Sequence, residues 1–162
     1  MGPNAASTTP FRVLFVCSGN ICRSPLAEAL FKSMAHEAGL GSRFVVDSAG
    51  THGYHEGDQA DPRTRQVGRK HGLIVDSIAR SVVDEDFDHF DLILAMDRGH
   101  RSELESRAGK GRSAAIRMMR EFDPGAGNPD VADPYYGGED GFEKMYTTLE
   151  PACRGLLEAI RR

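Results

Sequence analysis

The sequence is poor in cysteine, has no tryptophan and contains no long apolar run. Its three cysteines cannot form an even set of disulfides, and we expect no secretory leader, so we expect a reducing, cytoplasmic setting. No apolar stretch approaches the roughly 18 residues that a membrane span needs, so we expect no transmembrane segment. Basic residues are not in excess. The net charge of −4 argues against binding to nucleic acid or anionic lipid.

The remaining composition is that of one globular domain. Hydrophobic residues make up 40% of the 162 residues and charged residues 27%. Residues 1–9 are small and polar and contain proline, so we predict a disordered head there, followed by one domain over residues 10–162. Nothing in the sequence requires more than a monomer.

Two kinds of apolar segment alternate along the domain. Short β-branched runs predict strands at residues 12–16, 44–46, 90–96 and 114–119. Helical spacing predicts helices from Ser24, with Ser24 as the cap, to Gly39, and over residues 61–71, 98–106 and 140–160, the last kinked or broken at Pro151. This alternation predicts an α/β fold: an open parallel sheet of about four strands flanked by helices.

The segment between the first strand and the first helix combines a nucleophile with groups that bind anions. Ligands of parallel sheets bind beyond the carboxyl ends of the strands, where Cys17 lies. The loop can turn its N–H groups inward, and the helix N-terminus adds partial positive charge, so a thiolate at Cys17 is stabilised. Arg23 supplies a planar fork that matches two phosphoryl oxygens. Gly19 permits a tight turn and Asn20 tolerates left-handed torsions, so residues 17–24 form a predicted phosphate loop.

Other interpretations of this segment are weaker. A cysteine at the end of a strand is often an ordinary buried residue of the core. The spacing C-x5-R alone also arises by chance. A zinc site needs more Cys or His ligands at short spacing than Cys17 and Cys22 alone provide. A Walker A loop needs Gly-Lys-Ser/Thr, which does not follow Gly19. The combination of apolar strand, C-x5-R-S-P and amphipathic helix favours the catalytic interpretation.

The residues V-C-S-G-N-I-C-R-S-P-L-A-E at 16–28 closely resemble the low-molecular-weight protein tyrosine phosphatase family. The resemblance continues through S-A-G-T at 48–51, A-M-D at 95–97 and D-P-Y-Y-G at 133–137. It implies a hydrolase that forms a phosphocysteine on Cys17 and needs no metal or cofactor. Arg23 then clamps the phosphoryl oxygens, the loop amides stabilise the transition state, and Ser24 stabilises the thiolate.

The resemblance also assigns residues from distant segments. Asp133 corresponds to the general acid that protonates the leaving group, and Tyr54 and Tyr135 to the aromatic walls of the cleft. Tyr136 corresponds to the neighbour of that wall tyrosine, and both tyrosines are phosphorylated in some relatives, which leaves phosphorylation of Tyr135 and Tyr136 open here. The phosphate-binding and supporting residues are Ser18, Gly19, Asn20, Ile21, Cys22, Ser24, Ser48, His71 and Asp97. Within this set Asn20, Ser48 and His71 match a buried hydrogen-bond network, and Asp97 matches the carboxylate that positions the loop arginine.

Several residues keep a second interpretation. Asp97 is equally explained as a helix N-cap, and His71 as a histidine at a helix C-terminus. His52 and His55 are expected to be solvated loop histidines, and Cys153 a core residue. Many relatives have asparagine where this chain has His100, so the local structure of the active-site rim is not predicted. Cys22 is close enough in sequence to Cys17 to form a reversible disulfide after oxidation.

Three rival functions use a similar scaffold. Arsenate reductases of this fold need a downstream cysteine pair, whereas only Cys153 follows residue 72. Arginine phosphatases of the family typically have threonine at the position of Ile21, so Ile21 favours an aryl phosphate. A non-catalytic phosphate-binding module would be expected to lack Cys17, Arg23 or Asp133. We therefore expect phosphotyrosine-containing proteins as substrates.

Overall fold

A computed structural model describes residues 9–161, apart from the side chains of Tyr136 and Glu139. Its centre is a four-stranded sheet in which every neighbouring pair is parallel, as predicted. The strands are β1 (Phe11–Cys17), β2 (Phe44–Gly50), β3 (Leu92–Ala95) and β4 (Ala115–Met118), in the order β2-β1-β3-β4. Most of the predicted head, residues 1–8, lies outside the described residues.

Five helices flank the sheet in the described part of the chain. They are α1 (Arg23–Glu37), α2 (Pro62–Lys70), α3 (Asp86–His89), α4 (Arg98–Ala108) and α5 (Gly138–Ile160). Short 3₁₀ turns cover Gly41–Arg43, Met119–Phe122 and Pro134–Tyr136. The short helix α3 was not predicted, and α5 continues through Pro151 without a break. No helix in the described part combines the length and the apolar character of a membrane span.

Strand β1 divides the core between the two faces of the sheet. Alternate side chains of a strand point to opposite faces. Val13 and Phe15 pack in the cluster that α1 and α5 cover, whereas Leu14 and Val16 pack in the cluster with residues of α3 and α4. All four are fully buried. A run without polar residues is therefore required here, since β1 is a central strand covered on both sides.

The same central position of β1 places the phosphate loop between its neighbours. Cys17 pairs with Gly50, the last residue of β2, and Val16 pairs with Ala95, the last residue of β3. The three strands therefore end at one edge of the sheet. A Cβ on Gly50 would lie 2.6 Å from the carbonyl oxygen of Ser18, so only glycine lets β2 approach the loop this closely.

Candidate active site

The phosphate loop is shaped by Asn20, whose φ of 60° is the left-handed conformation that the sequence suggested. This conformation costs about 1 kcal/mol for a residue with a Cβ. The buried side chain offsets that cost with bonds on both sides. Its Nδ2 donates to Ser24 Oγ over 2.8 Å, and its Oδ1 accepts from the backbone N–H of Arg80 over 3.1 Å. The loop is thereby tied both to α1 and to the segment before α3.

Cys17 lies at the floor of the site, facing the start of α1. Its Sγ is 3.0 Å from the hydroxyl of Ser24 and 3.4 Å from the backbone nitrogen of the same residue. The prediction that Ser24 caps the helix is wrong, because α1 already begins at Arg23 and the Ser24 hydroxyl turns to the sulfur instead. A hydroxyl, an N–H and the helix dipole all favour negative charge on this sulfur.

The side chain of Arg23 is buried and fixed by two oxygen acceptors. Its Nη1 donates to Asp97 Oδ2 over 3.0 Å and to the carbonyl oxygen of Val131 over 2.8 Å. The other nitrogen, Nη2, lies 3.9 Å from Asp133 Oδ2. Asp97 makes the contacts of both interpretations that the sequence left open, since its Oδ1 also caps α4 by accepting from the N–H of His100.

Asp133 lies on a loop that is anchored close to Arg23. Its Oδ1 accepts from the N–H of Tyr135 over 3.0 Å, which caps the following 3₁₀ turn. Two residues earlier, Val131 donates to Met96 at the end of β3 over 2.7 Å. Asp130 accepts from the backbone and the side chain of Arg98. The Asp133 side chain is 40% exposed, so it reaches solvent and the cleft together.

A cleft of about 400 Å³ opens above Cys17. Its lining comes from the phosphate loop, the loop after β2 and the loop before α5, namely Cys17, Ser18, Gly19, Ile21, Cys22, Arg23, His52, Tyr54, His55, Asp133 and Tyr135. Tyr54 and Tyr135 are 85% and 56% exposed at the rim. The guanidinium of Arg63 lies 5.0 Å from the centre of the Tyr135 ring. The side chain of Tyr136, which corresponds to a tyrosine phosphorylated in some relatives, lies outside the described residues.

His52 and His55 lie closer to the site than a solvated loop position implies. Both line the cleft, and a Cβ on Gly19 would be 3.3 Å from His52 and 2.8 Å from His55. The His52 ring lies 4.2 Å from that of Tyr54. Burial, and then the nearby His55, lower the pKa of His52. Gly19 is therefore needed for the close approach of two imidazoles as well as for the turn.

Two predicted supporting residues are not joined to the phosphate loop by the expected network. The hydroxyl of Ser48 donates to Glu28 on α1 over 2.6 Å. His71 pairs with Glu143 over 2.8 Å and stacks on Tyr146, with ring centres 3.6 Å apart. Ser48 therefore fixes β2 to α1, and His71 fixes α2 to α5. The network through Asn20, Ser48 and His71 is wrong as predicted, because helix packing supplies other partners.

His100 is the residue whose role the sequence did not reveal. It is buried, with its Nε2 2.8 Å from Ser18 Oγ and its Nδ1 3.2 Å from Asp97 Oδ1. Burial and then the charge of Arg23 lower the pKa of His100 to about 4. The neutral imidazole therefore lies behind the phosphate loop at neutral pH. From the sequence, the position of His100 three residues after Asp97, the cap of α4, predicts only the hydrogen bond from its backbone N–H to Asp97.

The other cysteines differ from Cys17. Burial raises the pKa of Cys22 to about 12, so this thiol stays protonated at neutral pH although it lines the cleft. Cys153 is buried against the carbonyl oxygen of Ala27, as expected for a core residue. All three cysteines are free thiols. Among the described residues, no group of three or more potential ligands could hold a metal ion.

Comparison with known proteins gives consistent matches. A family model described as low molecular weight phosphotyrosine protein phosphatase matches residues 12–162. The chain is 49% identical over 154 residues to a low molecular weight protein-tyrosine-phosphatase of Streptomyces coelicolor, with 93% of this chain and 94% of that protein covered.

Solved structures give the same picture. A protein tyrosine phosphatase from Entamoeba histolytica, crystallised with Hepes in the active site, superposes with a TM-score of 0.90 at 46% identity, covering 93% and 97% of the two chains. An arginine phosphatase from Drosophila superposes with a TM-score of 0.86 at 31% identity, covering 93% and 98%. The same fold thus occurs in proteins named for two different phosphorylated residues.

Proposed function

The chain belongs to the low molecular weight phosphotyrosine protein phosphatase family, and we propose that it hydrolyses phosphotyrosine through a phosphocysteine on Cys17. Membership makes the chain a protein phosphatase, a hydrolase that acts on phosphoproteins. The observation that carries the residue assignment is that Asp133, which is far from the phosphate loop in sequence, lines the same cleft as Cys17 and Arg23.

In the first step the Cys17 thiolate attacks phosphorus from below, and the bond from phosphorus to the tyrosyl oxygen breaks. Asp133, protonated before the reaction, gives its proton to the departing phenolate. Arg23 is suited to hold two phosphoryl oxygens because Asp97 and Val131 fix its guanidinium. The amides of the loop and the N-terminus of α1 stabilise the charge that collects on the phosphoryl group.

In the second step a water molecule attacks phosphorus and the bond from phosphorus to sulfur breaks. Asp133, now ionised, takes the proton of that water, and phosphate is released. The departing thiolate is stabilised by the Ser24 hydroxyl, which lies 3.0 Å from Sγ. Both steps are complete without an added redox reagent or metal ion, since every proton is accounted for by Asp133 and water.

The substrate class follows from the walls of the cleft. Ile21 lines it with an apolar side chain, and Tyr54 and Tyr135 stand at the rim. These groups suit an aromatic ring, whereas a guanidinium group prefers polar partners. Since an arginine phosphatase has the same fold, this lining is the feature that supports phosphotyrosine as the substrate. We further propose that the protein acts as a monomer in the cytoplasm, where the free thiols are kept reduced.

Turnover by purified protein tests the assignment. We expect the wild type to hydrolyse p-nitrophenyl phosphate, and Cys17→Ser to be inactive while still binding inorganic phosphate. Peptides of one sequence carrying phosphotyrosine, phosphoserine or phosphoarginine then determine the substrate class, with phosphotyrosine preferred. Ile21→Thr, the matched variant, should raise the relative rate on phosphoarginine. A wild type that binds phosphate without turnover is instead a binding module, and a preference for phosphoarginine overturns the substrate assignment.

We also propose that Cys22 protects Cys17 from irreversible oxidation. Peroxide oxidises the Cys17 thiolate to a sulfenic acid, and the Cys22 thiol condenses with it, releasing water. The two cysteines lie in one loop at the same cleft, which supports this step. Mass spectrometry of peroxide-treated protein should find a Cys17–Cys22 disulfide, and Cys22→Ser should recover less activity on addition of thiol. Full recovery by Cys22→Ser contradicts the proposal.

A further inference from the structure

His100 connects the two halves of the phosphate site. Its imidazole Nε2 lies 2.8 Å from the hydroxyl of Ser18 in the phosphate loop. Its backbone N–H donates to Asp97 Oδ1 over 2.8 Å, and Asp97 Oδ2 accepts from Arg23 over 3.0 Å. A continuous chain of contacts therefore runs from the residue after the nucleophile to the arginine that clamps phosphate.

The ring nitrogen Nδ1 of His100 favours one arrangement of protons in this chain. It is buried and lies 3.2 Å from Asp97 Oδ1, although the two atoms do not form a hydrogen bond. A carboxylate attracts an N–H and repels a bare nitrogen lone pair, so the proton belongs on Nδ1. Nε2 is then an acceptor, and the Ser18 hydroxyl must donate to it. The hydroxyl is thereby fixed in direction.

The order Ser18, His100, Asp97 is that of a serine hydrolase triad, but these residues do not form one. A triad histidine must accept the serine proton at neutral pH and then pass it to the leaving group. Burial and the nearby Arg23 lower the pKa of His100, so it is a weak base. Asp97 is shared with Arg23 and with the N-terminus of α4. Cys17 remains the nucleophile, and His100 has a supporting part.

We propose that His100 is a positioning residue that holds the Ser18 side of the phosphate loop and the Asp97–Arg23 pair in register for phosphoryl binding. This inference rests on the proposed function of the same site. The charged groups that face His100 are Arg23, Asp97, Asp130 and Asp133, which come from α1, the start of α4 and the loop before α5. A neutral side chain able to accept a hydrogen bond fits between them without adding a second cation beside Arg23.

Variants at both ends of the Ser18–His100 contact test the proposal. We expect His100→Ala and Ser18→Ala each to lower kcat/KM for p-nitrophenyl phosphate about tenfold, because a misplaced clamp costs rate without removing a reacting group. Inhibition by orthovanadate should weaken by a similar factor. The double variant should be no worse than the more impaired single variant, since the two side chains act through one contact. His100→Asn, which keeps a buried acceptor, should stay within about threefold of the wild type.

Other results overturn the proposal. A purely structural role lowers the melting temperature of His100→Ala while kcat/KM and vanadate inhibition stay within about twofold of the wild type. If His100 and Ser18 act independently, the fold decreases in kcat/KM of the two single variants multiply in the double variant, which contradicts the proposal. If His100→Ala fails to fold, Ser18→Ala decides, and unchanged kinetics there reject the proposal. A wild type without turnover defeats the proposed function instead, and calorimetric binding of inorganic phosphate to the same variants still tests His100.

Discussion

The hydroxyl of Ser24 lies 3.0 Å from the sulfur of Cys17, and its backbone nitrogen lies 3.4 Å from the same atom. One residue therefore offers the sulfur two donors, because its position in the first turn of α1 points both groups toward the end of β1. The Ser24 hydroxyl also accepts from Asn20, which leaves its own proton for the sulfur. The geometry favours a thiolate both before attack and at its departure from phosphorus.

Replacement of Ser24 by alanine should therefore slow turnover more than binding. Ser24→Ala removes the hydroxyl and keeps the backbone donor, so we expect kcat to fall about tenfold, the worth of one hydrogen bond to a charged group. KM should not rise, since phosphate is held by Arg23 and the loop amides. Steady-state kinetics with p-nitrophenyl phosphate measure the effect, and Ser24→Cys or Ser24→Thr serve as controls that keep a donor. A rise in KM at constant kcat contradicts the assignment.

The loss of kcat on replacement of Asp133 should increase with the basicity of the leaving group. Asp133→Asn keeps the cap on Tyr135 but cannot give a proton, so poor leaving groups suffer most. We expect kcat to fall at least about a hundredfold for phosphotyrosine and clearly less for an aryl phosphate with strongly acidic phenol. A series of substituted phenyl phosphates gives the slope of log kcat against phenol pKa. An unchanged slope in Asp133→Asn excludes Asp133 as the general acid.

Asn20 allows a stability test with a matched control. Asn20→Ala leaves a Cβ in the left-handed region and removes the bonds to Ser24 and Arg80, so we expect a loss of about 3 kcal/mol in the free energy of unfolding. Asn20→Gly loses the same bonds but tolerates the torsion, so its loss should be about 1 kcal/mol smaller. Urea unfolding measures both. Equal losses show that the torsion carries no cost.

The sequence predicted the parts of the site that are contiguous in the chain. Strand, loop and helix follow one another from Phe11 to Glu37, and the local demands of a buried strand, a turn at Gly19 and a helix N-terminus are all readable there. The prediction of Ser24 as the helix cap is off by two residues, since the N-cap is Cys22. Because α1 begins at Arg23, a side chain expected to cap the helix is turned toward the nucleophile.

Partners from distant segments were predictable only in part. The pairing of Arg23 with Asp97 came from a resemblance, but its bond to the carbonyl oxygen of Val131 depends on a backbone group that no side-chain pattern marks. The contact between Ser18 and His100 spans 82 residues and needs α4 packed beside the loop. His71 shows the opposite case, a predicted contact with the phosphate loop that does not form. This histidine at the end of α2 instead pairs with Glu143 and stacks on Tyr146, because α5 packs there.

Gly155 reverses an ordinary rule of helix stability. Replacing an interior helical glycine with alanine usually stabilises by about 1 kcal/mol. A Cβ on Gly155, however, would overlap the carbonyl oxygen of Phe122, where α5 packs on the 3₁₀ turn after β4. We expect Gly155→Ala to lower the free energy of unfolding by about 3 kcal/mol, as in overpacked cores. Ala159→Gly, on the exposed side of the last turn of α5, is the control for an alanine–glycine exchange without such a contact. A stabilised Gly155→Ala contradicts the close packing of the two elements.

His100 should make the fold sensitive to mild acid. Burial and Arg23 lower its pKa in the folded protein to about 4 from an ordinary value of 6.5, so between these values the unfolded chain binds a proton that the folded chain does not. The contribution of neutral His100 to the free energy of unfolding is fully present above pH 6.5 and declines as the pH falls toward 4. Below pH 4 it changes no further. Over this window it amounts to about 3 kcal/mol.

The variant His100→Asn cannot take up this proton, so its free energy of unfolding should fall less steeply between pH 6.5 and 4 than that of the wild type. Urea unfolding at half-unit pH intervals measures both slopes. His36→Asn, which removes an exposed histidine at the end of α1, is the matched control. Parallel curves for the wild type and His100→Asn would mean that the pKa of His100 is not lowered in the folded protein. Below about pH 6.5 a second cation would then lie beside Arg23, and Ser18 would lose its neutral acceptor over that range.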